Sequence, residues 1–208
     1  VMVSLMIIRM ILPTLSQYPT TTTITTKNNN KMKPPLFMQI ITAILFTCQL
    51  NYKYHGYSGK ILFMGMPCNV LLTMWTILCF VPLKEQTMHI MHQLIIPHTS
   101  LAVVAVATPD TSDLLMYMEV PFFFIFHTIL ILYPLYFLKS GRISVLSLPN
   151  CNDGIVVNFI KWWILACAYF ALFYFGIATP LSLIYGLNIN YMLSPPPNPG
   201  DLVSGEHF

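Results

Sequence analysis

The chain has 208 residues, of which 56% are hydrophobic and only 8% charged, and its mean hydropathy is +0.67. So few charges cannot keep that much apolar surface in water, so the composition points to a polytopic membrane protein. The formal charge of +3 comes from 10 basic and 7 acidic residues spread over loops; no basic run is dense enough to track a phosphate backbone, which sets nucleic acid aside as a partner.

In chain order, residues 1–12 are apolar but short and interrupted by Arg9, with no small-residue cleavage site, and read as an interfacial or partial segment. Residues 16–35 form a Thr/Asn/Lys-rich tract too polar to bury anything, and read as a disordered linker. The chain therefore divides into an N-terminal region, 1–35, and a transmembrane helical domain, 36–208. The first spanning candidate is 36–52 and the second 60–82. The third, 86–108, carries Pro97-His98 near its middle, and the fourth, 114–138, is the most apolar stretch and contains His127. A fifth runs over 154–178. Residues 179–193 are apolar but punctuated by Pro180, Gly186, Asn188 and Asn190, and read as re-entrant rather than spanning. The expected fold is thus an all-α membrane bundle of about five spans plus a re-entrant segment.

Loop charges orient it, because Lys and Arg are retained on the cytoplasmic side. With five spans, one side collects Arg9, Lys27, Lys31, Lys33, Lys84, Lys139 and Arg142, and the other only Lys53 and Lys60. The N-terminus is expected in the cytoplasm.

Within the second span lies Met64-Gly65-Met66-Pro67-Cys68-Asn69, a Gly/Pro break ending in a thiol. Broken backbone at membrane depth leaves polar groups unsatisfied unless it is buried in protein or lines a cavity. Pro67 suits the first position of a helix, which places Cys68 at a helix N-terminus, where free N–H groups and the dipole favour an anion. At about 1.5 Å of rise per residue, Cys68 lies roughly 12 Å from Lys60 and His127 roughly 20 Å from Leu114, both towards mid-bilayer, where the two can meet.

Polar groups this deep are functional candidates. His127 has no polar sequence neighbour except Thr128, so a functional partner must come from another helix; the bland reading is a neutral histidine donating to a carbonyl freed by Pro121 or Pro134. His98 is either a polar contact at a kink or an orienting group. His89 and His92 share a helix face but have no third ligand in sequence, so no metal is assigned. Glu119 is expected to snorkel to the interface, with orientation of a catalytic histidine as the alternative. Cys79 reads as a packing residue and Lys161 with Trp162 and Trp163 as an interfacial anchor. The five cysteines are an odd number, and Cys48, Cys68, Cys79 and Cys167 fall in apolar segments, which argues against a disulfide framework. No Asn-x-Ser/Thr sequon marks a glycosylated loop.

A cysteine and a histidine at depth suggest nucleophilic acyl chemistry, since a buried thiol needs an adjacent histidine, a helix N-terminus, or both to become a thiolate. A site reached sideways from lipid, where water is scarce, favours transfer over hydrolysis. Asn188 and Asn190 are candidates for a head-group or oxyanion contact, with loop capping as the alternative.

Several motifs are similar to those of the transmembrane protein 164 family, related more distantly to the androgen-induced lipid hydrolases and to a bacterial family of integral membrane proteins. They are Pro67-Cys68; Glu119 with His127 eight residues later and then Tyr133-Pro134-Leu135-Tyr136-Phe137-Leu138; Gly176-Ile177-Ala178-Thr179; and Asn188-Ile189-Asn190-Tyr191-Met192-Leu193-Ser194-Pro195. The likeness covers residues 57–208. It implies an acyltransferase that moves polyunsaturated acyl chains onto an ether-linked lysophosphatidylethanolamine acceptor, with Cys68 and His127 as catalytic residues. Beside that pair we expect Asn69, His98, Glu119, Asn188 and Asn190 on the substrate side, a phospholipid acyl donor, no cofactor, and an endoplasmic reticulum or Golgi location. The chain departs from the family pattern at Met66, Asn69 and Ser194, and the resemblance leads us to expect a Gly-His-Gln stretch and a last membrane helix beyond Phe208. A lipid ester hydrolase using the same pair, and a transporter or scaffold needing no nucleophile, are the other function classes.

Overall fold

The computed structural model describes residues 34–56, 59–111, 114–140 and 155–189, and in these it is all-helical. The first helix, α1 (Leu36–His55), begins where Pro34-Pro35 ends: Pro35 is held extended as N-cap, and Gln39 Nε2 donates back to the Pro34 carbonyl at 2.8 Å. It stops at Gly56. The second span is broken as its sequence predicts. A 3₁₀ segment (Lys60–Gly65) leads through an extended Met66 into α2 (Pro67–Phe80), with Pro67 at the first helical positions.

The third helix, α3 (Glu85–Ala107), continues through Pro97, and α4 (Glu119–Lys139) through Pro134. Met118, in the left-handed region at φ 62°, turns the chain into α4. The fifth, α5 (Ile155–Phe173), runs on through a π turn (Tyr174–Ala178) into α6 (Thr179–Tyr185). Pro180 has no N–H to give the Gly176 carbonyl and its ring would crowd that oxygen, so the turn before it widens; the Thr179 amide and hydroxyl both donate to the Tyr174 carbonyl instead.

That widening corrects the re-entrant reading of 179–193 over its first part, Thr179–Tyr185. Val156–Tyr185 is one continuous apolar helical run of 30 residues, because proline near the start of a helical turn is accommodated rather than helix-ending. The run closes at Gly186, left-handed at φ 64°. Residues 190–208, including Asn190 and Ser194, lie outside the described residues, as does nearly all of the N-terminal region 1–35.

Among the described residues three helical runs, Thr87–Ala107, Glu119–Lys139 and Val156–Tyr185, are long and apolar enough to cross a membrane, and α2 is a shorter apolar helix. Helix α3 is central and packs on α2, α4 and α5, while α1 packs on α2 and on the 3₁₀ segment. Trp75 of α2 fills the middle, its ring edge-on to Tyr133 and His92 and tilted against Phe137. Tyr133 ties α4 to α1, meeting the Thr42 hydroxyl at 3.0 Å and donating to the Met38 carbonyl at 3.3 Å. Outward-facing Ile40, Ile44, Leu132, Leu135 and Ile184 are exposed, as lipid-facing side chains should be.

Candidate functional site

The break in the second span puts Cys68 one residue past Pro67, in the first turn of α2, and no side chain caps that helix end. Its position is fixed from the next residue. Asn69 is buried; its Nδ2 donates to the Phe63 carbonyl at 2.7 Å, and its Oδ1 accepts from Gln49 Nε2 at 2.8 Å. One amide therefore ties the start of α2 to the 3₁₀ segment and to α1. Asn69 borders the cavity described below, and its side-chain amide is held between Phe63 and Gln49.

His127 lies in the third turn of α4, where Phe123 and Phe126 hold its ring at centroid distances of 4.1 and 4.7 Å. Its Nδ1 lies 2.7 Å from the Phe123 carbonyl. A carbonyl only accepts, so Nδ1 carries the proton and Nε2 keeps its lone pair. The carbonyl is the one a turn earlier in the same helix, not one freed by Pro121 or Pro134. No other hydrogen bond of this ring forms among the described residues.

Cys68 and His127 line the same cavity, of about 530 Å³. Its walls are mostly apolar, with Phe63, Leu101, Val104, Phe122 and Phe126 among them. The polar members are Gln49, Lys53, Asn69, Thr108, Asp110, Glu119 and Asn188, besides the thiol and the imidazole. Such a shape, apolar with a few convergent polar groups, is what a buried ligand site requires.

Glu119 overturns the snorkelling expectation. It is 2% exposed, and it sits where α1, the 3₁₀ segment and α4 converge. Lys60 Nζ lies 3.0 Å from each of its carboxylate oxygens, Lys53 Nζ 3.5 Å from Oε1, and the Met116 amide donates to Oε2 at 3.1 Å. Oε1 is within ion-pair reach of both ammoniums, though aimed at neither well enough for a hydrogen bond. The two lysines that read as loop charges in the sequence are buried as well, at 3% and 1% exposure. A carboxylate at the start of α4 pairs there with two ammoniums on neighbouring elements instead of reaching for water.

His98 is placed elsewhere. It is buried, stacks on Phe170 of α5, and its Nδ1 pairs with the Leu94 carbonyl in its own helix; it is not part of the cavity wall with Cys68 and His127. His92 packs against Trp75 and Phe137 in the core. Cys79, half-buried, has its thiol 3.7 Å from the Thr42 hydroxyl. Asn188 lies on the cavity wall just after α6, whereas Asn190 is outside the described residues.

Comparison with known proteins fits this layout. The sequence profile of the TMEM164 family matches residues 1–207, nearly the whole chain. The chain belongs to the TMEM164 family. The match reaches further towards the N-terminus than the motifs from residue 57 onward suggest. A relative, the "Transmembrane protein 164 homolog" of Dictyostelium discoideum, is 27% identical over 172 residues, covering 81% of this chain and 58% of the relative. The chain thus spans somewhat more than half the length of that curated relative. No solved structure matches.

In this TMEM164 family chain, several site residues carry no mark in the sequence. Lys53 and Lys60 are seven apart on either side of a turn, and only pairing with Glu119 across the bundle identifies them. Gln49 looks like an ordinary helix residue until its bond to Asn69 is seen. Tyr174, in the π turn, is not a cavity residue but carries a buried hydroxyl with no hydrogen-bond partner among the described residues. A faint signal for it exists in Pro180, which forces the widened turn on which it sits.

Proposed function

We propose that this TMEM164 family protein is a membrane-embedded acyltransferase in which Cys68 is the nucleophile and His127 the general base. The observation that carries the reading is that residues 59 apart in sequence, on two different helices, open on one largely apolar cavity, with the imidazole Nε2 lone pair left available. The donor is a phospholipid ester and the acceptor an ether-linked lysophospholipid. His127 Nε2 takes the Cys68 proton as sulfur attacks the ester carbonyl; a C–S bond forms, the ester C–O bond breaks, and His127 returns the proton to the departing lysolipid oxygen. The acceptor hydroxyl then gives its proton to His127 and attacks the thioester, and the thiolate that leaves recovers the proton.

The uncapped amides at the start of α2 are suited to the oxyanion formed at each attack, with Asn188 on the same wall as a second donor. Apolar walls limit water and favour a lipid acceptor over hydrolysis. The same reading places the protein in endoplasmic reticulum or Golgi membranes with its N-terminus in the cytoplasm, in keeping with the loop-charge asymmetry.

The test is chemical. Purified protein is offered a polyunsaturated phospholipid and an ether lysolipid, and products are separated. Acylated ether lipid is expected, with a hydroxylamine-labile acyl label on wild type that is lost in Cys68→Ser. His127→Ala should lose transfer to a similar extent, and the double variant should lose little more than either single one, because residues acting as a unit are non-additive. Free fatty acid alone would assign a hydrolase. Unimpaired transfer by Cys68→Ala would end the Cys/His reading.

A further inference from the structure

Helix α3 changes character past its middle. Up to Ala102 one face belongs to the core: Met88, His92, Ile95 and His98 are buried, and His98 stacks on Phe170 to hold α3 against α5. None of residues 103–107 is buried, although the helix runs on to Ala107. Leu101, Val104, Ala105 and Thr108 follow one another at i, i+3, i+4 and i+7, so they form a single stripe, and that stripe is cavity wall.

The stripe is outer surface as well. Phe126 and His127 border the same cavity and are only 2% and 4% exposed, so bordering it does not by itself expose a side chain. Leu101 is 37% exposed and Val104 56%. They face the cavity and the surroundings at once, which requires the cavity to open beside them. The other edge of the opening is the turn after α6. Gly186 borders the cavity, and a Cβ added to it would meet nothing within 4 Å. Leu187 is seated against Gly59, where an added Cβ would lie 2.7 Å from the leucine side chain, and Ile189 is buried, so this edge is fixed.

Depth decides what lies outside. The span Thr87–Ala107 places Val104 three residues, about 5 Å, inside its end, so the opening faces hydrocarbon rather than bulk water. Leu101 and Val104 offer no hydrogen bond to anything that passes, and the apolar surface continues inward to Phe122 and Phe126. A polar solute would be stripped of its water at that threshold without compensation, whereas a hydrocarbon chain crosses it from one apolar medium to another.

We propose that the α3 stripe at Leu101 and Val104 and the Gly186–Leu187 turn are the two sides of a lateral portal, through which one hydrocarbon chain of a lipid in the leaflet on the Ala107 side enters the cavity. That the entering chain is the one transferred rests on the function proposed above; entry itself is a binding event and needs no turnover.

The test uses the full chain in nanodiscs, carrying Cys68→Ser so that no transfer occurs, with a phosphatidylcholine whose chain ends in a photoactivatable diazirine. Labelled residues are located by mass spectrometry. Wild-type portal residues should give label at Phe63, Phe122 or Phe126 inside the cavity, and at Ile40 and Ile44, which are exposed on α1 and serve as the outer reference. In Val104→Trp the cavity label should fall roughly fivefold or more relative to that reference, because an indole fills the opening. Val103→Trp, at an exposed position that is not cavity wall, should change neither. Cavity label unchanged in Val104→Trp, or reduced equally in Val103→Trp, would overturn the portal. Should Val104→Trp fail to fold, Leu101→Phe is read in the same way. No cavity label with wild-type portal residues would mean that the opening is covered by the segment after Ile189 or by a second copy of the chain, and would also overturn it. A water-soluble diazirine that labels the cavity as strongly as the lipid would identify an aqueous vestibule instead. Portal-dependent label in a protein whose Cys68 parent transfers no acyl group would retire the acyltransferase and leave the portal standing.

Discussion

Replacing Glu119 by alanine removes the one carboxylate known to stand between two buried ammoniums. Lys60 loses both of its 3.0 Å contacts and Lys53 its 3.5 Å contact, and the Met116 amide loses its acceptor. Removing one partner of a buried charge pair costs about 3–5 kcal/mol, because buried charge loses its counter-ion. Against a typical stability of about 5–15 kcal/mol this is a large fraction. For a chain of this size it corresponds to a fall in Tm of roughly 6–20 °C. Intrinsic tryptophan fluorescence during heating in nanodiscs reads it directly. Glu119→Gln, which keeps the shape and an acceptor for Met116, should lose less. The combination Glu119→Leu, Lys53→Met and Lys60→Met should return to within about 1–2 kcal/mol of wild type, since apolar replacements remove the charges rather than strand them. A Glu119→Ala protein as stable as wild type would refute the idea that this carboxylate is a buried counter-ion.

Asn69→Leu strands the buried Gln49 amide, at a cost of about 1–3 kcal/mol, and releases the first turn of α2 from the Phe63 carbonyl, which keeps its bond from the Met66 amide; lowered thermal stability together with reduced acyl labelling of Cys68 is expected. Gly59 has φ 82° and its added Cβ would sit 2.7 Å from the Leu187 side chain, so Gly59→Ala should cost about 1–2 kcal/mol for the left-handed backbone, more than an alanine substitution at Gly176, where φ is ordinary and the nearest side chain is 3.8 Å away. Tyr174→Phe removes a buried hydroxyl that has no partner among the described residues, so Tm should stay level or rise; a fall would show that the hydroxyl is bonded in the folded protein.

What the sequence determined by itself is the solvent and the local grammar. Its apolar content requires a membrane, and Pro35, Gly65, Pro67 and Gly186 set element ends at or beside themselves because proline lacks an N–H and glycine adopts conformations other residues avoid. The position of Cys68 in the first turn of α2 was therefore legible from Pro67 alone. His127 was legible as an anomaly, a lone polar group in an aromatic run. Other features depend on residues far apart in sequence. Pro180 looked like a terminator, but Thr179 and the Tyr174 carbonyl absorb it in a π turn, so the helix continues. Glu119, Lys53 and Lys60 each read as surface charges, because a charge in isolation belongs in water; only when α1, the 3₁₀ segment and α4 converge does each find the partner that makes burial tolerable. Likewise His98 and His127 are alike in sequence, each a histidine in an apolar helix. Packing alone separates them, turning one against Phe170 and the other towards the cavity that holds Cys68.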